Sequence, residues 1–338
     1  MNCLAERARA RRARLFHVAA CLPIYVAWTI WVWRNDLLGR LMDYWPITVA
    51  MVGGSFIGGA TCEGGGAIAF PVLTLGFGVT PAVARNFAFV IQSVGMTMAS
   101  LIIFVRGIPI EKHAVFWASI GGALGLLLGT AYIAPFVPPK PAKLLFVSIW
   151  LSFGIALYLL NRQKGRQVCD SIEALGPRDA AKLLAFGVGG GVISSIFGSG
   201  LNDLVFCLLT LHFRVSEKVA TPTSVVLMAI NAVVGTVTHG LILNDLGTEP
   251  YMYWLASVPV VIIFAPLGAA LMANRTRHFI SRFLYAVFFV QFVGAFIVLR
   301  PTSLLLVMSA TVIAIGAAGF VLMSRWRRVS HAQANRRG

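Results

Sequence analysis

Apolar residues along the chain gather into runs of about 20, each closed by a short polar cluster, the length and punctuation of helices that cross a bilayer. The pattern predicts crossing helices near residues 15–33, 82–105, 114–136, 142–161, 219–241, 252–274, 281–299 and 302–323. Two further apolar regions, 46–78 and 182–213, are each interrupted in the middle by glycine-rich sequence. Each is too long for one span. With its central break, each fits two short helices folded as a hairpin that enters and leaves on the same side.

Sliding the chain on itself by 136 residues lays "VGGSFIGGATCEGGGAIAFPVLTLGFGVTPAVARNFAFV" from Val52 over "VGGGVISSIFGSGLNDLVFCLLTLHFRVSEKVATPTSVV" from Val188 without a gap. Fourteen of the 39 positions are identical, among them Gly64 with Gly200 and Leu73-Thr74-Leu75 with Leu209-Thr210-Leu211. Apolar composition alone does not easily give Gly, Thr and Phe matches at one fixed offset. The same offset maps the three helices after the first hairpin onto the three after the second. Three is odd, so the first hairpin opens from the outside and the second from the cytoplasm. Two homologous halves of opposite orientation form an inverted repeat, the architecture of secondary transporters, whose substrate sites lie near the bilayer midplane where broken helices meet.

The expected fold is therefore an all-α integral membrane protein with two inverted-topology repeats. Each repeat is a broken-helix re-entrant hairpin followed by three transmembrane helices, and one extra helix stands at each end. The expected divisions are 1–45 (basic N-terminus and first helix), 46–161 (first repeat), 162–181 (cytoplasmic linker), 182–299 (second repeat) and 300–338 (last helix and basic tail).

Composition agrees with this layout. With 58% of residues hydrophobic, 12% charged and a mean hydropathy of +0.82, the chain reads as a polytopic membrane protein rather than a soluble one. The net charge of +16 invites a nucleic-acid partner, but the basic residues cluster beside the spans, as the positive-inside bias requires. No nucleic-acid partner is expected; the partners are the lipid bilayer and a small anion. With the N-terminus inside, all but Arg34, Arg40, Arg85, Lys140, Lys143 and Arg300 fall on the cytoplasmic face, and so does the C-terminus. The basic start followed by an apolar run resembles a signal peptide, but Trp28, Trp31 and Trp33 close the run and no cleavage site follows, so an uncleaved first span is expected. The five cysteines are scattered and odd in number, which predicts no disulfide framework, no zinc site and no other cofactor.

The chemistry lies in the two breaks. At "EGGG" one half-helix ends and another begins, and the second offers N–H groups and the positive end of its dipole. Gly64, Gly65 and Gly66 let a ligand approach that backbone. "FGSGLND" supplies the counterpart, with Ser199 in place of Glu63, then Gly200, then Asn202 in place of Gly66. Two such helix starts facing each other attract a small anion. Helix packing explains Gly53, Gly54, Gly58 and Gly59 equally well. It does not explain a carboxylate inside the bilayer, which costs at least ~2.5 kcal/mol.

Two roles stay open for Glu63: complementing a helix dipole, worth up to ~2 kcal/mol, or carrying a proton during transport. A fixed negative charge repels an anion, so a protonated or paired Glu63 fits anion binding better, with Arg85 as the expected partner. Asp203, in the first turn of its half-helix, poses the same choice. Arg85-Asn86 and Thr221-Pro222-Thr223 occupy repeat-equivalent helix starts and either face the cavity or cap the helices. Gln92 and Asn231 hydrogen-bond either substrate or a neighbouring helix. His239 is expected at the interface, and Cys62 as a small buried residue.

At these residues the sequence resembles the sulfite exporter family TauE/SafE, over roughly residues 45–300. The likeness rests on the doubled glycine-rich tip, on runs such as "AIAFPVLTLGFGVTPAVA", and on "ATPTSVV". The first tip, with Gly64, Gly65, Gly66 and Pro71, follows the family pattern closely, whereas "GSGLND", Cys207 and "ARNFAF" depart from it. The resemblance implies a bacterial inner-membrane transporter with two inverted halves that moves sulfite, sulfoacetate or related sulfur-containing anions. The oligomeric state stays open, a homodimer included.

Two rival functions remain in view. A passive anion channel differs by needing no alternating access. An intramembrane serine hydrolase would use Ser199 in "FGSG" with His212 or His239, and needs one of those histidines to reach the hydroxyl. No nucleotide-binding loop supports an ATP-driven pump.

Overall fold

The computed structural model describes residues 2–63, 72–162, 168–172 and 175–334. Its α-helices of seven residues or more are α1 (Asn2–Arg34), α2 (Trp45–Ala60), α3 (Pro81–Arg106), α4 (Lys112–Tyr132), α5 (Pro139–Asn161), α6 (Pro177–Phe197), α7 (Leu201–Cys207), α8 (Glu217–Val237), α9 (Thr248–Met272), α10 (Arg277–Leu299) and α11 (Ser303–Ala334). Among the described residues nine helices are long and apolar enough to cross a membrane. Eight coincide with the spans read from the sequence. Their outward faces are apolar, with Val290 67% and Leu304 77% exposed, as lipid-facing helices require.

The ninth is α6, which differs from the short arm expected from residue 182. Gly176 and Pro177 start this helix early, because proline is favoured in a first helical turn. Its opening turns carry Arg178, Asp179 and Lys182, so the apolar part begins only at Leu183. Beyond the break at Gly198–Gly200 the chain doubles back, and His212 Nε2 comes to 3.1 Å from Lys182 Nζ. Both ends of this segment therefore lie together.

Elements recur at the offset of 136 residues. Pro81 opens α3 and Glu217 opens α8; Lys112 opens α4 and Thr248 opens α9. π-Helical turns occupy Val72–Gly76 and Leu208–His212. Each is followed by a left-handed residue, Gly78 at φ 68° and Arg214 at φ 57°. The closing bonds match as well: Val79 N–H donates to Leu73 O at 3.0 Å and Val215 N–H to Leu209 O at 2.8 Å.

Packing follows the same exchange. α2 packs on α9 as α6 packs on α4, and α3 packs on its own counterpart α8. Small residues permit this close approach. A Cβ at Gly125 of α4 would strike the Val188 carbonyl of α6, and one at Gly59 of α2 would strike the Ala265 carbonyl of α9.

The N-terminal helix has a definable structural task. Pro259 and Pro266 inside α9 lack the N–H groups that would bond the carbonyls four residues earlier, Leu255 and Ile262. Side chains of α1 take over: Trp28 Nε1 donates to Leu255 O at 2.7 Å, and His17 Nε2 lies 2.8 Å from Ile262 O. At the other end, α11 is tied to α5 by the Ser148–Ser309 hydroxyl pair at 2.7 Å.

Candidate functional site

The two breaks touch inside the protein. Asn202 Nδ2 donates to Cys62 O at 2.5 Å, and Ser199 Oγ lies 3.2 Å from Glu63 O. Cys62, Glu63, Ser199 and Asn202 are fully buried, so these polar groups answer to one another rather than to water.

The second break owes its shape to glycine. Gly198 (φ 76°) and Gly200 (φ 151°) take conformations that L side chains rarely adopt, and a Cβ at Gly200 would run into Ile193. This bend leaves the first N–H groups of α7 to find partners. Gly200 N–H donates to Asn202 Oδ1 at 3.4 Å and Leu201 N–H to Ser194 Oγ at 3.0 Å. The expectation of free N–H donors at this tip is corrected at these two positions. Because this segment is buried, neighbouring side chains pair them. Asp203 is 1% exposed, with Oδ2 3.2 Å from Ser199 Oγ.

Glu63 is not paired with Arg85. Its Oε2 accepts from Gln291 Nε2 of α10 at 2.5 Å, and its N–H donates to Thr61 Oγ1 at 3.3 Å. Arg85, in the first turn of α3, donates through Nε to Asn86 Oδ1 at 3.0 Å and through Nη1 to Ser195 O at 3.4 Å. Asn86 Nδ2 in turn holds Asp245 O and Leu246 O, at 2.9 and 3.2 Å. Arg85 and Asn86 thus join the end of α6 to the loop after α8. Gln92, about two turns further along α3, donates to Gly198 O at 3.0 Å and belongs to the second break itself.

Thr221 and Thr223 stand elsewhere. Thr223 Oγ1 donates to Val219 O at 2.7 Å and accepts from Glu111 N–H at 2.8 Å, while Glu111 Oε2 accepts from Ile172 N–H at 2.8 Å. Thr221 lines a small crevice with Lys218, Pro222 and Met272. Gly59 borders the same crevice, and neither threonine hydrogen-bonds to a described residue of the breaks. Gly64, Gly65 and Gly66 lie outside the described residues.

His239 does not reach the protein surface. It is fully buried, its Nδ1 lies 2.8 Å from Asp245 Oδ1, and its ring stacks on Phe89 with centroids 5.7 Å apart. The carboxylate and the aromatic face offset the cost of removing the imidazole from water. Ser199 therefore meets Glu63 O and Asp203, whereas His239 is engaged with Asp245 and His212 with Lys182. That geometry gives no serine–histidine dyad.

Sequence reasoning passed over three residues. Gln291 reaches Glu63, Ser194 caps Leu201, and Ser224 Oγ donates to Asn202 O at 3.3 Å. A signal existed for Gln291, a lone amide in an otherwise apolar span. It also borders an apolar crevice of about 490 Å³ between α2, the first π-turn and α10, lined by Ile57, Val72, Val287 and Val290.

The family model described as sulfite exporter TauE/SafE matches residues 47–293. The chain belongs to the TauE/SafE family. The match takes in both breaks and Gln291, whereas α1 and α11 lie outside it. Comparison with curated proteins and with solved structures returned no match. Family and apolar helices together make this a multi-pass membrane protein of the TauE/SafE sulfur-compound exporter type.

Proposed function

We propose that the chain is a secondary transporter of small sulfur-containing or organic anions, sulfite and sulfonates foremost. It sits in a bacterial inner membrane with both termini cytoplasmic. The observation that carries this reading is the buried contact between the two breaks, Asn202 with Cys62 O and Ser199 with Glu63 O. Irregular backbone at membrane depth is tolerated where it is enclosed by protein or lines a cavity. Recurrence of the elements at 136 residues, with three helices between the hairpins, supports two re-entrant halves of opposite orientation.

In this reading the anion binds between the breaks. Gly64, Gly65, Gly66, Ser199, Gly200 and Asn202 form its cradle, and Arg85, Asn86 and Gln92 flank it. Glu63 and Asp203 carry the coupling protons. Alternating access is the exchange of contacts at this seam, where hydrogen bonds between the two breaks give way and re-form.

A thermal-shift series on the purified protein tests the substrate class, using sulfite, thiosulfate, sulfoacetate and small carboxylates as probes. Stabilisation by the sulfur oxyanions is expected, because a ligand that binds only the folded state raises its stability. Stabilisation by none of the probes overturns the assignment, and stabilisation by carboxylates alone overturns the preference for sulfur oxyanions within it.

A further inference from the structure

The contact between the breaks holds more acceptors than donors. Among the described residues, Glu63 Oε1, Asp203 Oδ1 and Gln291 Oε1 have no hydrogen-bond partner. An amide oxygen only accepts, and so does an ionised carboxylate. Ser199 has a single hydroxyl proton, yet Glu63 O and Asp203 Oδ2 each lie 3.2 Å from its oxygen. With Asp203 ionised, one of those two contacts is oxygen against oxygen with no proton between.

Among the described residues no cation pairs with these carboxyls, and the ion pairs lie elsewhere, at Glu111, Asp179 and Asp245. The titratable groups facing Glu63 are Asp203 and the Cys62 thiol, and those facing Asp203 are Glu63, Cys62 and Cys207. All four residues are buried. An unpaired buried ion costs several kcal/mol.

Two protons supply the missing donors. A proton on Glu63 turns one of its oxygens into a donor for Gln291 Oε1, while the other still accepts from Gln291 Nε2, closing an acid–amide pair. A proton on Asp203 is donated to Ser199 Oγ, which passes its own to Glu63 O. We infer that Glu63 and Asp203 are held as neutral acids at the contact between the two breaks, with Gln291 and Ser199 as the positioning residues that hold them so. This deepens the transporter reading above by making the seam uncharged, so that a small anion meets no Coulomb repulsion there. Neither proton can leave without the seam opening, which couples proton release to separation of the halves.

Infrared spectroscopy of the full chain in detergent at neutral pH tests this without any substrate, so its outcome is independent of what is transported. A protonated carboxyl has its own C=O stretch, separate from that of a carboxylate, and the band moves in D2O. The wild type is expected to show this band. Glu63→Gln and Asp203→Asn, which keep size and hydrogen-bonding capacity, are each expected to remove a share of it. Glu111→Gln and Glu217→Gln, at the other buried carboxyls, serve as controls. Gln291→Leu is expected to shift the Glu63 share to higher frequency, which a merely structural amide would not do. Absence of the band in the wild type overturns the inference, even if every variant misfolds. So does a band that both Glu63→Gln and Asp203→Asn leave intact.

Discussion

Gln291 Nε2 and Glu63 Oε2 meet at 2.5 Å although 228 residues separate them in the chain. This contact ties the glycine-rich tip of the first half to a helix of the second. Asn202 on Cys62 O provides the second tie, and the seam between the halves is built from such bonds.

Asn202→Leu keeps the volume and removes both the donor to Cys62 O and the acceptor for Gly200 N–H. Two buried backbone groups are then unpaired, at about 1–3 kcal/mol each. A clear fall in the thermal unfolding midpoint is expected in detergent. An unchanged midpoint would show that the seam is not held by this side chain.

Gly125→Ala places a Cβ against the Val188 carbonyl, which belongs to helix backbone and cannot turn aside. Overpacking of this kind costs about 1–3 kcal/mol. Gly53→Ala in α2 meets nothing within 4 Å and is expected to be neutral or to gain up to about 1 kcal/mol from helix propensity. Expression level and unfolding temperature of the two variants report the difference, and equal behaviour would refute the packing assignment.

Trp28→Phe leaves Leu255 O without its donor, at a cost of about 1–3 kcal/mol. Pro259→Ala restores the helix N–H for that carbonyl. The loss from Trp28→Phe should therefore be much smaller in a Pro259→Ala background, as a double-mutant cycle on the unfolding midpoint measures. Simple additivity of the two would refute the capping role of α1.

Much of this architecture was legible in the chain because glycine, threonine and phenylalanine matched at one offset, and apolar runs of bilayer length marked the spans. The partner of Glu63 was not. Charge complementarity and nearness in sequence favoured Arg85, but α3 carries that guanidinium to Asn86 Oδ1 and Ser195 O. Glu63 is met instead by an amide from α10, whose own sequence says nothing of where it packs. Repeat equivalence pairs Thr221 with Arg85 and Gly59 with Ser195, and the placement recurs: Arg85 Nη1 bonds Ser195 O, and Thr221 lines a crevice with Gly59. The chemistry does not recur, because Arg85 reaches across with a guanidinium whereas Thr221 Oγ1 has no hydrogen-bond partner among the described residues. His239 looked interfacial because its span ends nearby, but Asp245 folds back over it, a contact set by the left-handed turn at Asn244.

The central claim is that a small anion crosses at the contact between the two breaks. Flux of radiolabelled sulfite into proteoliposomes, measured against concentration and with an imposed pH gradient, tests it most directly when wild type, Ser199→Ala and Gly53→Ala are compared. Ser199→Ala removes one hydroxyl at the seam and changes little else. Saturable, pH-dependent flux in the wild type and in Gly53→Ala, with at least a roughly tenfold loss in Ser199→Ala, about 1.4 kcal/mol, is the expected result. Wild-type flux and saturation in Ser199→Ala, or flux that never saturates, would contradict it.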